Sequence, residues 1–283
     1  MTKLTIRLLT AGLILFQVFL PFRAAAQGDL LVTPRRVVLD ARDRSIDLSL
    51  ANIGKDTASY TISFVQIRMT EAGNFETITE PDEGQKFSSP YLRFFPRSVT
   101  LSPDEVQTIK IQATRIRDLE PGEYRSHLYF RAVPPEKPLG EEDPAQKDQS
   151  TISIKLIPVF GITIPVIIRV GEPDVTVNLS DLSLVFEKDT IPRLGFTFNR
   201  SGNFSVYGDL AVDHISPQGT VTRVGIANGV AVYTPNTRRR FEFNLNNNSG
   251  ADLKSGRLLI TYSASSDVKP EKYAEAVLML NGE

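Results

Sequence analysis

The chain has 283 residues, 41% of them hydrophobic, with 32 basic and 33 acidic residues, two histidines and no cysteine or tryptophan. The length suits one large or, by expectation, two ordinary domains. The lack of cysteine excludes disulfides and thiol-linked lipid, and the balanced charge speaks against a nucleic-acid surface. Neither His127 nor His214 has a second metal ligand at a recognised spacing, so a histidine-based zinc or catalytic site is not expected.

Residues 1–26 read as a cleavable export signal: Lys3 and Arg7 precede the apolar run Leu8 to Phe22, and Ala24-Ala25-Ala26 follows. Removing Lys3, Arg7 and Arg23 from the 32 basic residues leaves 29 against 33 acidic ones, so the mature chain is mildly acidic and resides outside the cytoplasm. From Asp29 to Val133 apolar residues alternate with polar ones between turn signals. Ile46, Leu48 and Leu50 form one run, Tyr60, Ile62 and Phe64 another, Ile109, Ile111 and Ala113 a third. That period of two predicts an all-β sandwich. In "LEPGEYRSHLYF", Tyr124 follows a Pro-Gly turn at the head of an apolar strand, the arrangement of a tyrosine corner in immunoglobulin-type sandwiches.

Pro134 to Ser150 is rich in proline and charge and reads as a loop. After it comes "STISIKLIPVFGITIPVIIRVG", long and greasy enough to raise the question of a membrane helix. Pro158 and Pro165, with Gly161 between them, exclude that helix, since each interior proline costs roughly 3 kcal/mol. As a strand, Ile152, Ile154, Leu156, Phe160, Ile162, Ile164, Val166 and Ile168 share one face. Twenty extended residues span about 66 Å, more than one sandwich covers. Proline is confined to edges and bulges, so residues 151–170 are expected to form a long edge strand that offers itself to another chain. The alternative is a bent strand that serves two sheets of the same molecule.

Only "GEP" separates this strand from a second run of strands over residues 174–283, in which "LKSGRLLITY" weakly echoes the first half. The expectation is two immunoglobulin-like β-sandwich domains, residues 27–170 and 174–283, set at an angle with a cleft between them. "TRRR", Thr237 to Arg240, reads as a solvated basic loop. The sequence has no Gly-rich phosphate cradle and no nucleophile elbow, and the carboxylates of Glu141, Glu142 and Asp143 lie in the polar loop. No enzymatic activity and no cofactor are therefore expected.

Four stretches together resemble the PapD-like periplasmic chaperones of the chaperone/usher pilus-assembly pathway: "TPRRVVLDARDRSIDLSLANIG", "FFPRSVTLSPDEVQTIKI", "GEYRSHLYFRAVPP" and the long alternating strand. The resemblance covers most of the chain after residue 26 and is best in its first half. It implies two angled immunoglobulin-like domains, with Pro96, Leu101 and Tyr124 as structural positions. It also implies a periplasmic chaperone that caps pilus subunits by lending a strand and passes them to an outer-membrane usher. By position the donor residues are Ile152, Ile154 and Leu156. In the family an Arg and a Lys in the cleft hold the subunit's C-terminal carboxylate. Arg36 falls on the Arg position, with Arg35 turned to the opposite face. Thr163 stands in place of the Lys, or Lys155 fills that role in another register.

The partners implied are pilus subunits and an usher, with a self-capping dimer as another way to cover the strand. No nucleic acid and no membrane span in the mature chain are expected. A reading from a different class is an exported structural or adhesive sandwich, such as a pilus component, pairing through the same edge strand.

Overall fold

The computed structural model describes residues 29–40, 42–134, 159–187, 191–246, 250–265 and 271–280. Over these residues the regular structure is all strand apart from two short 3-10 turns at Ser89–Tyr91 and Ile116–Asp118. The first sandwich is built from β1 (Leu30–Thr33), β2 (Val37–Asp40), β3 (Ser45–Asn52), β4 (Ala58–Met69), β5 (Phe75–Ile78), β6 (Leu92–Phe95), β7 (Ser98–Leu101), β8 (Val106–Ala113), β9 (Gly122–Val133) and β10 (Gly161–Val170). One of its sheets has the order β1-β3-β8-β6. The other runs β2-β10-β9-β4-β5, with β7 also paired to β4.

Alternation decides which side chains these sheets bury. Leu48, Leu50, Ile109 and Ile111 point inward from the first sheet, and Leu39, Leu128, Phe130, Ile164, Val166 and Ile168 meet them from the second; all are at most 2% exposed. Each such side chain contributes about 1.5–3 kcal/mol by leaving water. Leu101 is also fully buried, and Pro96 follows a cis bond between β6 and β7. The Tyr124 hydroxyl donates to the Glu120 carbonyl at 3.1 Å, which is the tyrosine corner of an immunoglobulin-like sandwich.

The second sandwich holds β11 (Val175–Glu187), β12 (Ile191–Gly202), β13 (Val206–Ile215), β14 (Val221–Val232), β15 (Arg238–Asn244), β16 (Gly256–Ala264) and β17 (Lys272–Leu280). Its sheets are β11-β12-β15 and β14-β13-β16-β17. Phe198 and Tyr262 meet edge to face at 5.0 Å inside it, among Leu210, Val212, Leu258 and Ile260.

The two sandwiches are tied at the connection. Asn203 accepts from the Asp174 amide at 3.0 Å, donates its own amide to the Asp174 carbonyl at 2.9 Å, and donates its side-chain NH2 to the Glu172 carbonyl at 2.8 Å. Gly202, at φ +98°, lies so close that a Cβ there would sit 1.8 Å from the Asp174 oxygen. Any side chain would displace the link. A third apolar cluster, Met69, Ile167, Ala231 and Tyr233 with Val38 and Tyr207, draws from both sandwiches and joins them.

"TRRR" is not a solvated loop. Arg238–Arg240 open β15, where Arg240 donates its backbone N–H to the Glu71 carbonyl at 2.7 Å. The Glu71 carboxylate lies 3.6 Å from Arg240 and 3.9 Å from Arg238. The hairpin between β4 and β5 thus docks the first sandwich against an edge of the second. Among the described residues no helix is long and apolar enough to cross a membrane, and Gly161–Val170 is a strand.

Candidate functional site

β10 has two unlike halves. Val166 to Arg169 lies between parallel β2, where Val166 pairs with Val37, and antiparallel β9. Gly161 to Pro165 pairs with β9 alone, and no described strand lies along its other edge. The cause is upstream. The chain bends at Pro34 to Arg36, so β2 begins only at Val37.

The expected row of exposed isoleucines therefore takes a different form. Ile164, Val166 and Ile168 fill the molecule's own core, because this strand closes its own sandwich. The neighbouring side chains face the other way: Ile167 is fully buried against the second sandwich, and Thr163 is exposed opposite Tyr129. Over residues 166–169 the strand is interior, and over residues 161–165 it is an edge. Ile152, Ile154, Lys155 and Leu156 lie outside the described residues, as do the signal and nearly all of the polar loop.

Arg36 occupies the bend next to this free edge. Its guanidinium lies 4.8 Å from the centre of the Tyr207 ring and donates through Nη2 to the Ser205 hydroxyl at 3.4 Å, both in the second sandwich. Its Nε is buried without a hydrogen-bond partner. Burial above all, and then Arg169, holds its pKa below the ordinary arginine value. Arg35, one residue earlier, is exposed.

Arg125 on β9 is the second cation here. It is 2% exposed and lies 4.2 Å from the centre of the Tyr233 ring. Its guanidinium donates from Nη2 to the Thr234 carbonyl at 3.3 Å, while Nε and Nη1 are buried without partners. Burial chiefly, with Arg36 adding to it, lowers its pKa. Two positions along β9, His127 is also buried, with Nδ1 unpartnered. Burial first and Arg125 second push its pKa down to about 3, so it is neutral at ordinary pH.

Negative charge is scarce at this junction. Glu123 is buried, and its Oε2 accepts from Arg169 Nε at 3.1 Å, the Ser205 amide at 3.0 Å and the Ser205 hydroxyl at 2.7 Å. Its Oε1 accepts from the Thr234 hydroxyl at 3.2 Å. Glu123 is therefore fully occupied in holding the sandwiches together. Arg36, Arg125, Arg169 and Arg200 set four guanidinium groups against this one carboxylate. Buried N–H groups without acceptors cost about 1–3 kcal/mol each, more when charged, and a carboxylate would satisfy two at once in the planar fork of a guanidinium.

The structure brings Arg36 to the cleft and leaves Thr163 on the exposed strand edge, without a hydrogen bond to either cation. Sequence reasoning passed over Arg125. Its signal was faint: "EYRSHL", Glu123 to Leu128, is buried at all six positions, so no alternation marks its inward face.

No family model and no curated protein sequence matches the chain. Among solved structures it is similar to the CsuC–CsuE chaperone–tip adhesion subunit pre-assembly complex from the archaic Csu pili of Acinetobacter baumannii, at 12% identity, covering 86% of this chain and 96% of that one, with a TM-score of 0.46. It is also similar to the CupB2 chaperone of Pseudomonas aeruginosa, at 12% identity over 89% of this chain and 100% of that one, TM-score 0.43. A third is the E. coli chaperone DraB, at 14% identity over 87% and 95%, TM-score 0.43.

Proposed function

We propose that this chain is a periplasmic, non-enzymatic chaperone of the chaperone/usher type, which holds an unfinished pilus subunit along β10 and anchors the subunit's C-terminal carboxylate in the cleft. The observation that carries the reading is the meeting of an unpaired strand edge, Gly161 to Pro165, with the half-buried Arg36 and the buried Arg125, both of which hold buried N–H groups without acceptors. A chain laid along that edge runs out where β2 begins, beside Arg36. Its terminal carboxylate accepts from Arg36 and Arg125 and neutralises charge that the cleft leaves uncompensated. Thr163 offers the same chain a neutral hydroxyl.

On this reading the first domain, residues 27–170, lends Ile152, Ile154 and Leu156 to the subunit's apolar groove, and the second domain, residues 174–283, supplies the far wall of the cleft. Export follows cleavage after residue 26, and the loaded complex is delivered to an outer-membrane usher. Arg125 takes the part that the missing Lys plays in the family the sequence resembles.

The test is co-expression in a bacterial periplasm with the pilin-like proteins encoded beside the gene, followed by the stoichiometry of the purified complex. A one-to-one complex, lost in Ile154→Asp and weakened in Arg36→Ala and Arg125→Met, is the expected result, because a carboxylate in an apolar groove is strongly disfavoured. A protein that purifies alone, or as a polymer of itself, sinks this reading and favours the structural one.

A further inference from the structure

Outside the cleft, the turn between β2 and β3 and the connection from β8 to β9 wall a cavity of about 540 Å3. Arg42 and Arg44 come from the turn, and Arg115 and Arg117 from the connection. All four are exposed, and none has a carboxylate within ion-pairing distance among the described residues.

Some arginines elsewhere are matched, although Arg35, Arg93, Arg97, Arg131 and Arg257 are exposed without an ion pair among the described residues. Arg68, Arg193, Arg223, Arg238 and Arg240 each lie within 3.9 Å of a carboxylate. The cavity wall has only Asp43 and Asp118 against its four arginines, and Asp43 Oδ2 already accepts from the Asp40 amide at 2.9 Å. Arg115 also holds a left-handed backbone, φ 58°, where glycine would fit without strain.

The basic wall continues onto the outer face of the adjoining sheet. Gln112, in the cavity lining, pairs with Arg93, and two rungs further, on the same face, Lys110 pairs with Phe95. Phe95 is 76% exposed, the barest large apolar side chain among those described. A concave wall with a surplus of positive charge focuses its field on whatever enters, and a bare aromatic beside it adds an apolar anchor of the kind that dominates protein contacts.

We propose that this cavity and Phe95 form a docking site for an acidic peptide segment of a partner protein that carries an apolar side chain. A lipid surface fits less well, since the cations line a hollow and a single aromatic flanks it.

The probe is a fluorescein-labelled, C-terminally amidated peptide of glutamates and aspartates with one central phenylalanine, followed by anisotropy with the full chain. The amide removes the terminal carboxylate that the cleft would hold. Saturable binding is expected, weakened about tenfold in Arg44→Glu/Arg117→Glu, weaker in Phe95→Ser, and suppressed at about 0.5 M salt, where screening reaches within a few ångströms. Arg36→Ala should bind as the parent does. No binding, equal binding by the double variant, or loss in Arg36→Ala alone overturns the proposal. Sedimentation with phosphatidylglycerol vesicles, in the absence of peptide binding, overturns it in favour of a lipid surface. The substituted side chains are exposed, so circular dichroism of each variant should match the parent.

Discussion

Two buried arginines in the same junction differ in one respect. Arg200 donates to three carbonyls: Asn236 at 2.9 Å, Gly202 at 2.8 Å and Phe204 at 2.9 Å. The Arg125 guanidinium donates once, at 3.3 Å, and leaves two nitrogens without acceptors. Burial lowers the pKa of both, so the difference lies in what surrounds the charge. Arg200 stabilises the loops it bridges. Arg125 is held in place by strand β9 and a tyrosine ring, at a cost that a ligand can repay.

Stability measured by urea unfolding should separate them. Arg200→Ala is expected to lose about 3–5 kcal/mol, since one buried and two part-buried carbonyls lose a charged donor. Glu123→Gln should lose about 2–3 kcal/mol, because an amide cannot accept from Arg169, Ser205 and Thr234 as the carboxylate does. Arg125→Met, by contrast, should stay within about 1 kcal/mol of the parent or exceed it, as replacing an uncompensated buried charge with an apolar side chain is neutral or stabilising. A loss from Arg125→Met equal to that from Arg200→Ala would erase the distinction.

Acid sharpens the same contrast. His127 has a folded pKa of about 3 against 6.5 when unfolded. Because the folded value is the lower one, the unfolded chain binds the extra proton. The stabilising contribution is therefore whole above pH 6.5 and is lost as the pH falls from about 6.5 toward 3, with a slope of up to about 1.4 kcal/mol per pH unit. His127→Phe should flatten that slope. In Arg125→Met the His127 ring, followed by NMR, should titrate at higher pH than in the parent. The smallest change belongs to the exposed hairpin: Glu71→Ala should cost no more than about 1 kcal/mol, because its backbone bond to Arg240 remains.

The sandwiches were legible where one face of a strand meets core and the other meets water. Leu48, Leu50, Ile109 and Ile111 alternate in sequence and are fully buried in fact. The Tyr124 corner could likewise be read from its Pro-Gly turn. The cleft was legible only in part. Arg36 was visible through a resemblance, whereas Arg125 stands among residues buried on both faces, the outer face covered by the second sandwich rather than by solvent. A polar side chain that faces a second domain has the same pattern in sequence as one that faces water. For the same reason "TRRR" read as a loop, although Arg239 is half-buried beside Phe241, 5.3 Å from its ring centre, and donates to the Ala231 carbonyl.

The parallel pairing of β2 with β10 also sets an order in time. Val37 waits for Val166, so about 130 residues must follow β2 before its partner is available, a contact of high sequence separation and slow closure. A chain delivered N-terminus first holds the β2 side of its first sandwich open throughout that interval. Until β10 arrives, Leu39 and Phe130 lack Val166 and Ile168 above them. The strand along which a partner's chain is proposed to lie is thus also the last strand its own first sandwich receives.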